Sequence, residues 1–171
     1  MPNRATDLDR DFYQNIGYLI RRSHQIGDAL FDRDMRHLRL TPVQFGILLV
    51  VSAYAGIDQY QLGCAIGFDR TTISYVVRKL VAKNLIRKFK EDSDRRSNLL
   101  VLTEHGQAVL AEARPIASKT ADTFQAELTL EERQTLSVLL NKIVNAHDAQ
   151  GAKPRISFSR QQLGTTADAL P

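Results

Sequence analysis

Between Arg70 and Lys79 the chain interleaves cations with hydroxyls: Arg70, Thr71, Thr72, Ser74, Tyr75, Arg78 and Lys79. Groups of this kind donate and accept hydrogen bonds and carry positive charge, which is the chemistry of polyanion recognition rather than of bond making. Arg70 can donate two hydrogen bonds to O6 and N7 of a guanine, the commonest base-specific contact; the alternative is that it touches phosphate only. Thr71, Thr72 and Ser74 are short donors and acceptors for bases or phosphates, and a Thr methyl can meet a thymine methyl. The competing role for some of them is merely to cap a helix. Tyr75 can stack on sugar or donate to phosphate. Arg78, two turns further on, reads as a phosphate anchor, a contact that orients a protein and supplies salt-dependent affinity.

The surrounding residues dictate how such a face is held. Asp69 is a good N-cap, since its carboxylate can accept from free backbone N–H groups of the next turn. Ile73, Val76, Val77, Leu80 and Val81 then recur at helical spacing and define one apolar face. The cations and hydroxyls fall on the other. Asn84 tolerates the left-handed conformation that ends helices. After it the period changes: Leu85–Lys90 and Asn98–Leu102 read as strands, joined by a polar turn from Glu91 to Ser97. Upstream, Asp58 caps a short helix, Gln59–Ile66, with Tyr60, Leu62, Ala65 and Ile66 as inner positions, and Gly67-Phe68 turns the chain. Two helices joined this way make a helix–turn–helix, whose second helix enters the major groove. With the hairpin behind it, the unit is a winged helix.

Charge supports the same partner. The 171 residues carry a net charge of +4, yet residues 69–96 alone hold nine Lys or Arg against four acids. The positive charge is therefore confined to the helix and hairpin, the electrostatic footprint of a polyanion-binding surface. A solvated basic face without a partner is the bland alternative. At 43% hydrophobic residues the chain can build a core, and no apolar run approaches the roughly 18 residues of a membrane span. The first ten residues lack a signal-peptide core, so the expected compartment is the cytoplasm. A single cysteine, Cys64, excludes an internal disulfide and a multi-cysteine zinc site. His24, His37, His105 and His147 have no metal-like spacing. With no Gly-rich phosphate loop and no nucleophile–base pair, the expectation is a protein that is not an enzyme and carries no cofactor, catalytic residue or metal.

The rest of the chain divides around this unit. Residues 1–7 read as frayed. From about Leu8 to Leu38 apolar residues recur at helical spacing, predicting one long helix of roughly 45 Å at 1.5 Å per residue, more than a small domain can cover; such helices often pack on a partner chain. Thr41-Pro42 is a helix start. The helix from Val43 to about Tyr54 is apolar almost all round and so should be central. Thr103 caps a further helix running to about Glu127, with a bend at Pro115. Thr129 caps a last one, to about His147, with Leu136, Leu139, Leu140 and Ile143 on its apolar face. The stretch from Ala149 to Pro171 reads as an arm or a disordered end. The expected units are thus residues 1–38, a dimerisation helix; 39–103, a winged helix–turn–helix; 104–148, further dimerisation helices; and 149–171, a tail.

The order of elements and several short motifs resemble the MarR family of bacterial transcriptional regulators. They are Leu40-Thr41-Pro42-x-Gln44-Phe45, Asp69-Arg70-Thr71-Thr72-Ile73-Ser74, Leu80-Val81-x-Lys83-Asn84-Leu85-Ile86, Asp94-Arg95-Arg96 and Leu102-Thr103-x-x-Gly106. The resemblance covers about residues 8–147, and the Asp-Arg-Arg followed by Leu-Thr-x-x-Gly is its most specific part. Asn84 departs from the usual Gly, and the tail has no counterpart. The resemblance implies a homodimer whose first and last two helices form the interface, and whose two lobes bind a pseudo-palindromic double-stranded DNA operator. It implies that the wing reaches the minor groove, with Asp94 orienting Arg96 and Arg95 beside them; an ordinary turn salt bridge is the alternative. It also implies a small ligand, often phenolic or an aromatic acid, bound where dimerisation helices meet the DNA-binding lobe. Tyr18, Arg21, Arg22, His24, Phe31 and Phe45 sit on the helices that line that site, although Phe31 and Phe45 could equally be core, and Arg21 and Arg22 surface or interface charges. Peroxide-sensing relatives carry a cysteine near the start of the first helix; Cys64 is not there and reads as a small buried residue.

The expected fold class is therefore mainly α with a small β-hairpin wing, a winged helix–turn–helix plus a helical dimerisation region. The expected function is a sequence-specific DNA-binding transcriptional regulator, a repressor released by a small ligand. The alternatives are an architectural DNA-binding protein without ligand control, and a winged-helix protein–protein interaction module, which would call for apolar residues where Arg70, Thr72, Arg78 and Lys79 stand.

Overall fold

A computed structural model describes residues 12–91 and 94–148; the side chains of residues 90–98 and 148 lie outside that description. The expectations for residues 1–7 and for the tail after 148 also fall outside it. The first helix, α1, is Ile16–Asp34, 19 residues and so about 28 Å long. Residues 8–11 of the expected helix lie outside the described residues; among the described ones it starts at Ile16 and stops at Asp34, short of the predicted Leu38. Asn15 sets its start, because Asn15 Oδ1 accepts from the N–H groups of Gly17 at 2.9 Å and Tyr18 at 3.3 Å. After Met35 the chain tightens into a 3-10 turn, Arg36–Leu38, and Arg39 takes a left-handed φ of 52°. Met35 and Leu40, on either side of this link, are both buried, so the link is pinned to the core.

Helix α2, Pro42–Ala53, opens with a capping box: Thr41 Oγ1 accepts from the Gln44 N–H at 3.3 Å, and Gln44 Oε1 accepts from the Thr41 N–H at 3.4 Å. It is central as expected, burying Gln44, Ile47, Leu48 and Val51. A two-residue strand, β1 (Ile57–Asp58), follows; a pair of residues is too short to display the alternation that reveals strands in sequence. Helix α3, Gln59–Ile66, is capped by Asp58, which accepts from the Gln61 N–H at 2.8 Å. Leu62 and Cys64 are buried on it, but Tyr60 is not an inner position: it is 74% exposed. Two residues before Leu62 is about 200° around the helix, so burying Leu62 turns Tyr60 outward.

Helix α4, Arg70–Ala82, buries Ile73, Val77 and Leu80 and leaves Val81 at the edge. Its end has the hydrogen bonds of a Schellman motif, Leu85 N–H to Leu80 C=O and Asn84 N–H to Val81 C=O, both 2.9 Å, with Asn84 at φ 54°. Strands β2 (Ile86–Glu91) and β3 (Asp94–Leu102) form the hairpin, and the sheet order is β1-β3-β2, all antiparallel. The strands run further than expected. Glu91 pairs with Asp94 after an irregularity at Lys90/Glu91, so the turn shrinks to residues 92–93, outside the described residues.

Helix α5, Glu104–Phe124, starts at Thr103, whose Oγ1 accepts from the Gly106 N–H at 2.9 Å, and it carries Pro115 within it. Helix α6, Leu130–Asp148, opens with Thr129 and Glu132 bonded reciprocally. One core gathers side chains from the α1–α2 link, α2, α3, α4 and the sheet, together with Leu110 and Ala113 of α5. Farther along, α5 lies on α1, where the Thr120 hydroxyl donates to Asp34 at 2.8 Å. Helix α6 is different. Among its described side chains only Arg133 is even partly covered, and its apolar residues, including Leu136, Leu139, Leu140 and Ile143, stand in solvent.

Candidate nucleic-acid interface

The outer face of α4 is built on its cap. One oxygen of Asp69 accepts from the N–H groups of Thr71 at 2.8 Å and Thr72 at 2.9 Å, and the other accepts from the Thr72 hydroxyl at 2.7 Å. These bonds, the Thr72 hydroxyl foremost, hold the Asp69 carboxyl below the usual carboxylate range. An acid at this end of the helix is thus spent on the helix's own free donors. Thr72 has given its only proton to Asp69, so toward any other molecule its oxygen can only accept.

Along the same face Arg70, Thr71, Arg78 and Lys79 are exposed, Tyr75 is half-exposed, and Thr72 and Ser74 are partly covered. Tyr75 and Lys79 pair at i, i+4, with the Lys79 Nζ 4.6 Å from the ring centroid. That contact holds the ring against the helix surface. All seven residues singled out between Arg70 and Lys79 therefore lie on one helix, Arg70 at its first turn and Arg78 about 12 Å further along at 1.5 Å per residue. On the hairpin Arg87 and Lys88 are exposed, and the Arg87 guanidinium lies 5.9 Å from the Phe89 ring centroid. The backbone of Asp94, Arg95 and Arg96 opens β3 at the far end of the hairpin; their side chains, and with them the pairing of Asp94 and Arg96, are outside the described residues.

Tyr60 was missed from the sequence. Its exposure on α3, the first helix of the helix–turn–helix, puts a hydroxyl and a ring on the element that crosses the phosphate backbone in this geometry. The signal was available: counting 100° per residue from Leu62 places it outside.

The six ligand candidates do not come together within one chain. Tyr18 sits with Phe12 and Tyr13, ring centroids 4.9 and 5.4 Å away, and the Arg21 guanidinium lies 5.4 Å from its centroid. Arg22 is exposed, and His24 pairs with Asp28 at 3.3 Å on the same exposed helix. Phe31 and Phe45 instead touch each other, centroids 5.6 Å apart, against the core. Along α1, Phe31 lies seven residues beyond His24, about 10 Å, and thirteen beyond Tyr18, about 20 Å. An open groove of about 550 Å³ lies elsewhere, between the end of α1 and α5, lined by Arg33, Asp34, His37, Pro115, Ile116, Lys119 and Thr123. Arg33 is bonded to Asp34 at 2.7 Å and keeps its carboxyl below the usual range. His37 pairs with Glu112 at 3.3 Å. Among the described residues no group of His, Cys, Asp and Glu is arranged to hold a metal ion, and no helix is long and apolar enough to cross a membrane.

Known proteins share this arrangement. The MarR family model matches residues 40–97, from the start of α2 into the hairpin. A putative transcriptional regulatory protein for the hcr operon of Thauera aromatica is 31% identical over 129 residues, covering 75% of this chain and 78% of that protein. The transcriptional repressor CouR, solved on a 23-mer DNA duplex, superposes with a TM-score of 0.74 at 28% identity, covering 80% of this chain and 96% of that one. Bordetella bronchiseptica BpsR, solved in a study of how 6-hydroxynicotinic acid regulates its DNA binding, also gives 0.74 at 28% identity, over 78% of this chain and 95% of its own. The winged helix–turn–helix, the helices around it and the extent of these matches agree: the chain belongs to the MarR family.

Proposed function

We propose that this protein is a cytoplasmic, sequence-specific DNA-binding repressor that works as a homodimer and is released by a small aromatic acid. The observation that carries the reading is the outer face of α4, where exposed cations and hydroxyls stand on a helix whose own acid is consumed in capping. In this reading Arg70, Thr71, Thr72, Ser74 and Tyr75 meet base edges and sugar in the major groove. Arg78 and Tyr60 meet phosphate, and Asp94, Arg95 and Arg96 serve the wing. Residues 39–103 form the DNA-binding unit. The uncovered apolar stripes of α1 and α6 support dimerisation through residues up to 38 and 104–148, with Leu19, Ile20 and Ile26 from one helix and Leu136, Leu139 and Ile143 from the other. CouR on its duplex supports the DNA half of the reading, and BpsR with 6-hydroxynicotinic acid supports the ligand half.

The groove between α1 and α5 suits the effector better than the dispersed set. It is lined by the apolar Pro115 and Ile116 and by the cation of Lys119, beside Arg33, which is bonded to Asp34, a mixture that a flat ring bearing a carboxylate can use. Tyr18, Arg21, Arg22 and His24 then belong to the face that a second protomer covers, and Phe31 and Phe45 to the core beside it.

Selection of duplexes from a random library tests the reading, comparing the wild type with Arg96→Ala. The expected result is a pseudo-palindrome for the wild type, weaker binding by the variant, and release of the selected duplex by 6-hydroxynicotinic acid or a related hydroxylated aromatic acid. Tight low-salt binding with no sequence enriched would replace it with the architectural alternative. A folded protein that binds no duplex would leave the protein–protein module.

A further inference from the structure

The last turn of α4 is fastened on two sides. Lys83, its C-cap residue, donates from Nζ to the backbone carbonyl of Arg39 at 2.5 Å and to Gln44 Oε1 at 3.0 Å. Arg39 is the left-handed residue of the α1–α2 link, and Gln44 is the buried half of the capping box that starts α2. On the other side, the Asn84 carbonyl accepts from the Thr103 hydroxyl at 2.6 Å and the Leu85 carbonyl from the Thr103 N–H at 3.1 Å. Gly106 lets α5 approach so closely that a Cβ there would lie 2.0 Å from the Leu85 oxygen. Residues 83–85 are thus the place where the helix bearing the basic face is joined to the α1–α2 link, to the start of α2 and to α5.

We propose that Lys83 is a positioning residue for DNA recognition: through Arg39 and Gln44 it fixes the angle of α4 relative to α2 and to the link that leads from α1, and it makes no phosphate contact of its own. The proposal rests on the DNA-binding reading above. Three observations carry it. Lys83 is the one described lysine whose ammonium is bonded to two fixed acceptors of another element. Both acceptors are held by their own local structure, the carbonyl by a left-handed turn and the amide by a capping box, so they define a direction rather than follow the lysine. Partial burial at this joint, with the neighbouring cations Lys79 and Arg39 adding to it, lowers its affinity for the proton, as expected of an ammonium folded back onto the protein beside other cations. Lys79, one turn earlier, shows the contrast: its ammonium lies over the Tyr75 ring on the outer face. A rotation of α1 against the lobe, whatever drives it, would pull on the Arg39 carbonyl and so on the end of α4.

The test uses the full-length protein and the duplex it selects from a random library. Lys83→Met, Gln44→Met and the double variant are titrated against that duplex at several salt concentrations. The expected result is a loss of specific affinity of about tenfold for Lys83→Met, a similar loss for Gln44→Met, and a double variant no weaker than either single one, because partners in one interaction are not additive. The slope of log K against log salt should stay at the wild-type value, since no phosphate contact is lost. A slope smaller by about one in Lys83→Met, with Gln44→Met binding as the wild type, would make Lys83 a phosphate anchor and overturn the proposal. Lys83→Arg, which keeps the charge and can reach both acceptors, should restore binding to within about threefold. Amide hydrogen exchange of the free protein gives a readout without DNA. In Lys83→Met, protection should fall at 80–85 and at 41–47 together; unchanged protection at both sites overturns the joint. If the wild type selects no duplex, the DNA-binding reading has failed, and the exchange result alone decides whether the joint exists.

Discussion

Gly106→Ala is the substitution whose sign separates two accounts of the Leu-Thr-x-x-Gly motif. Gly106 is the third residue of α5, inside a helix, where Ala is ordinarily preferred over Gly by about 1 kcal/mol. If the glycine had no contact to serve, Ala would stabilise. In the structure an added Cβ falls 2.0 Å from the Leu85 oxygen and 2.9 Å from its carbonyl carbon. Ordinary contact begins at 3.4 Å, so α5 or the end of α4 must retreat by about 1.4 Å. That retreat stretches two bonds at once, Thr103 N–H to Leu85 C=O at 3.1 Å and Thr103 Oγ1 to Asn84 C=O at 2.6 Å. Each is worth about 1 kcal/mol, and a buried carbonyl left unpaired costs about 1–3 kcal/mol more. Against this stands the gain of about 1 kcal/mol in helix propensity. The net expectation is a destabilisation of about 2 kcal/mol, or a Tm lower by about 4–8 °C for a chain of this size. The assay is thermal and urea unfolding of both proteins at one concentration, because any subunit association makes Tm concentration-dependent. An unchanged or higher Tm for Gly106→Ala would refute the close approach and the joint with it.

Three further outcomes follow from the same geometry. Leu139→Glu puts a charge in the apolar stripe of α6, and sedimentation equilibrium should show a monomer where the wild type is a dimer; a variant that still dimerises refutes the interface. In duplex titrations Arg70→Ala should lose about 1–3 kcal/mol and relax specificity at one position, whereas Arg78→Ala should weaken all sequences alike and lower the salt slope by about one; equal behaviour of the two would erase the distinction between base and phosphate contact. The Asp69 carboxyl is held below its ordinary value by the Thr72 hydroxyl and the neighbouring N–H groups, so its stabilising effect is complete above the unfolded pKa of about 3.9 and disappears as pH falls through the lower folded value. Urea midpoints from pH 7 to pH 3 should therefore fall less steeply for Asp69→Asn than for the wild type, with little difference at pH 7 since Asn also caps; parallel curves would show that the cap carries no such linkage.

What was legible in the sequence was local. Asp58, Asp69, Thr41, Thr103 and Thr129 each cap the helix that follows them, because a cap bond joins residues two or three apart and leaves its mark in adjacent letters. Asn84 at positive φ was legible for the same reason. Among the described residues the first helix starts later than its apolar spacing suggests, because the spacing continues through Phe12 while Asn15, a polar letter inside the pattern, takes the first N–H groups. The two-residue β1 has no period to display. Tyr60 was misplaced by its hydrophobicity, although the angle to Leu62 turned it outward.

The joints were hidden because they are long-range. Lys83 finds its acceptors 44 and 39 residues earlier in the chain, and the motif around it does not say what it bonds. The dispersal of the six effector candidates within one chain was hidden for a related reason. Tyr18 and Phe31 share one helix, and periodicity reports which face a residue occupies without reporting that about 20 Å separates two residues along it. Arg33, His37 and Lys119 come from two segments whose meeting depends on how α5 lies on α1, a contact fixed by Thr120 and Asp34 across 86 residues. Local chemistry thus fixes the reading face of α4, whereas its orientation and its control lie in contacts that only the folded chain brings together. On the proposed reading, a regulator of this kind changes effector by altering the groove between α1 and α5 while the face of α4 keeps its DNA site.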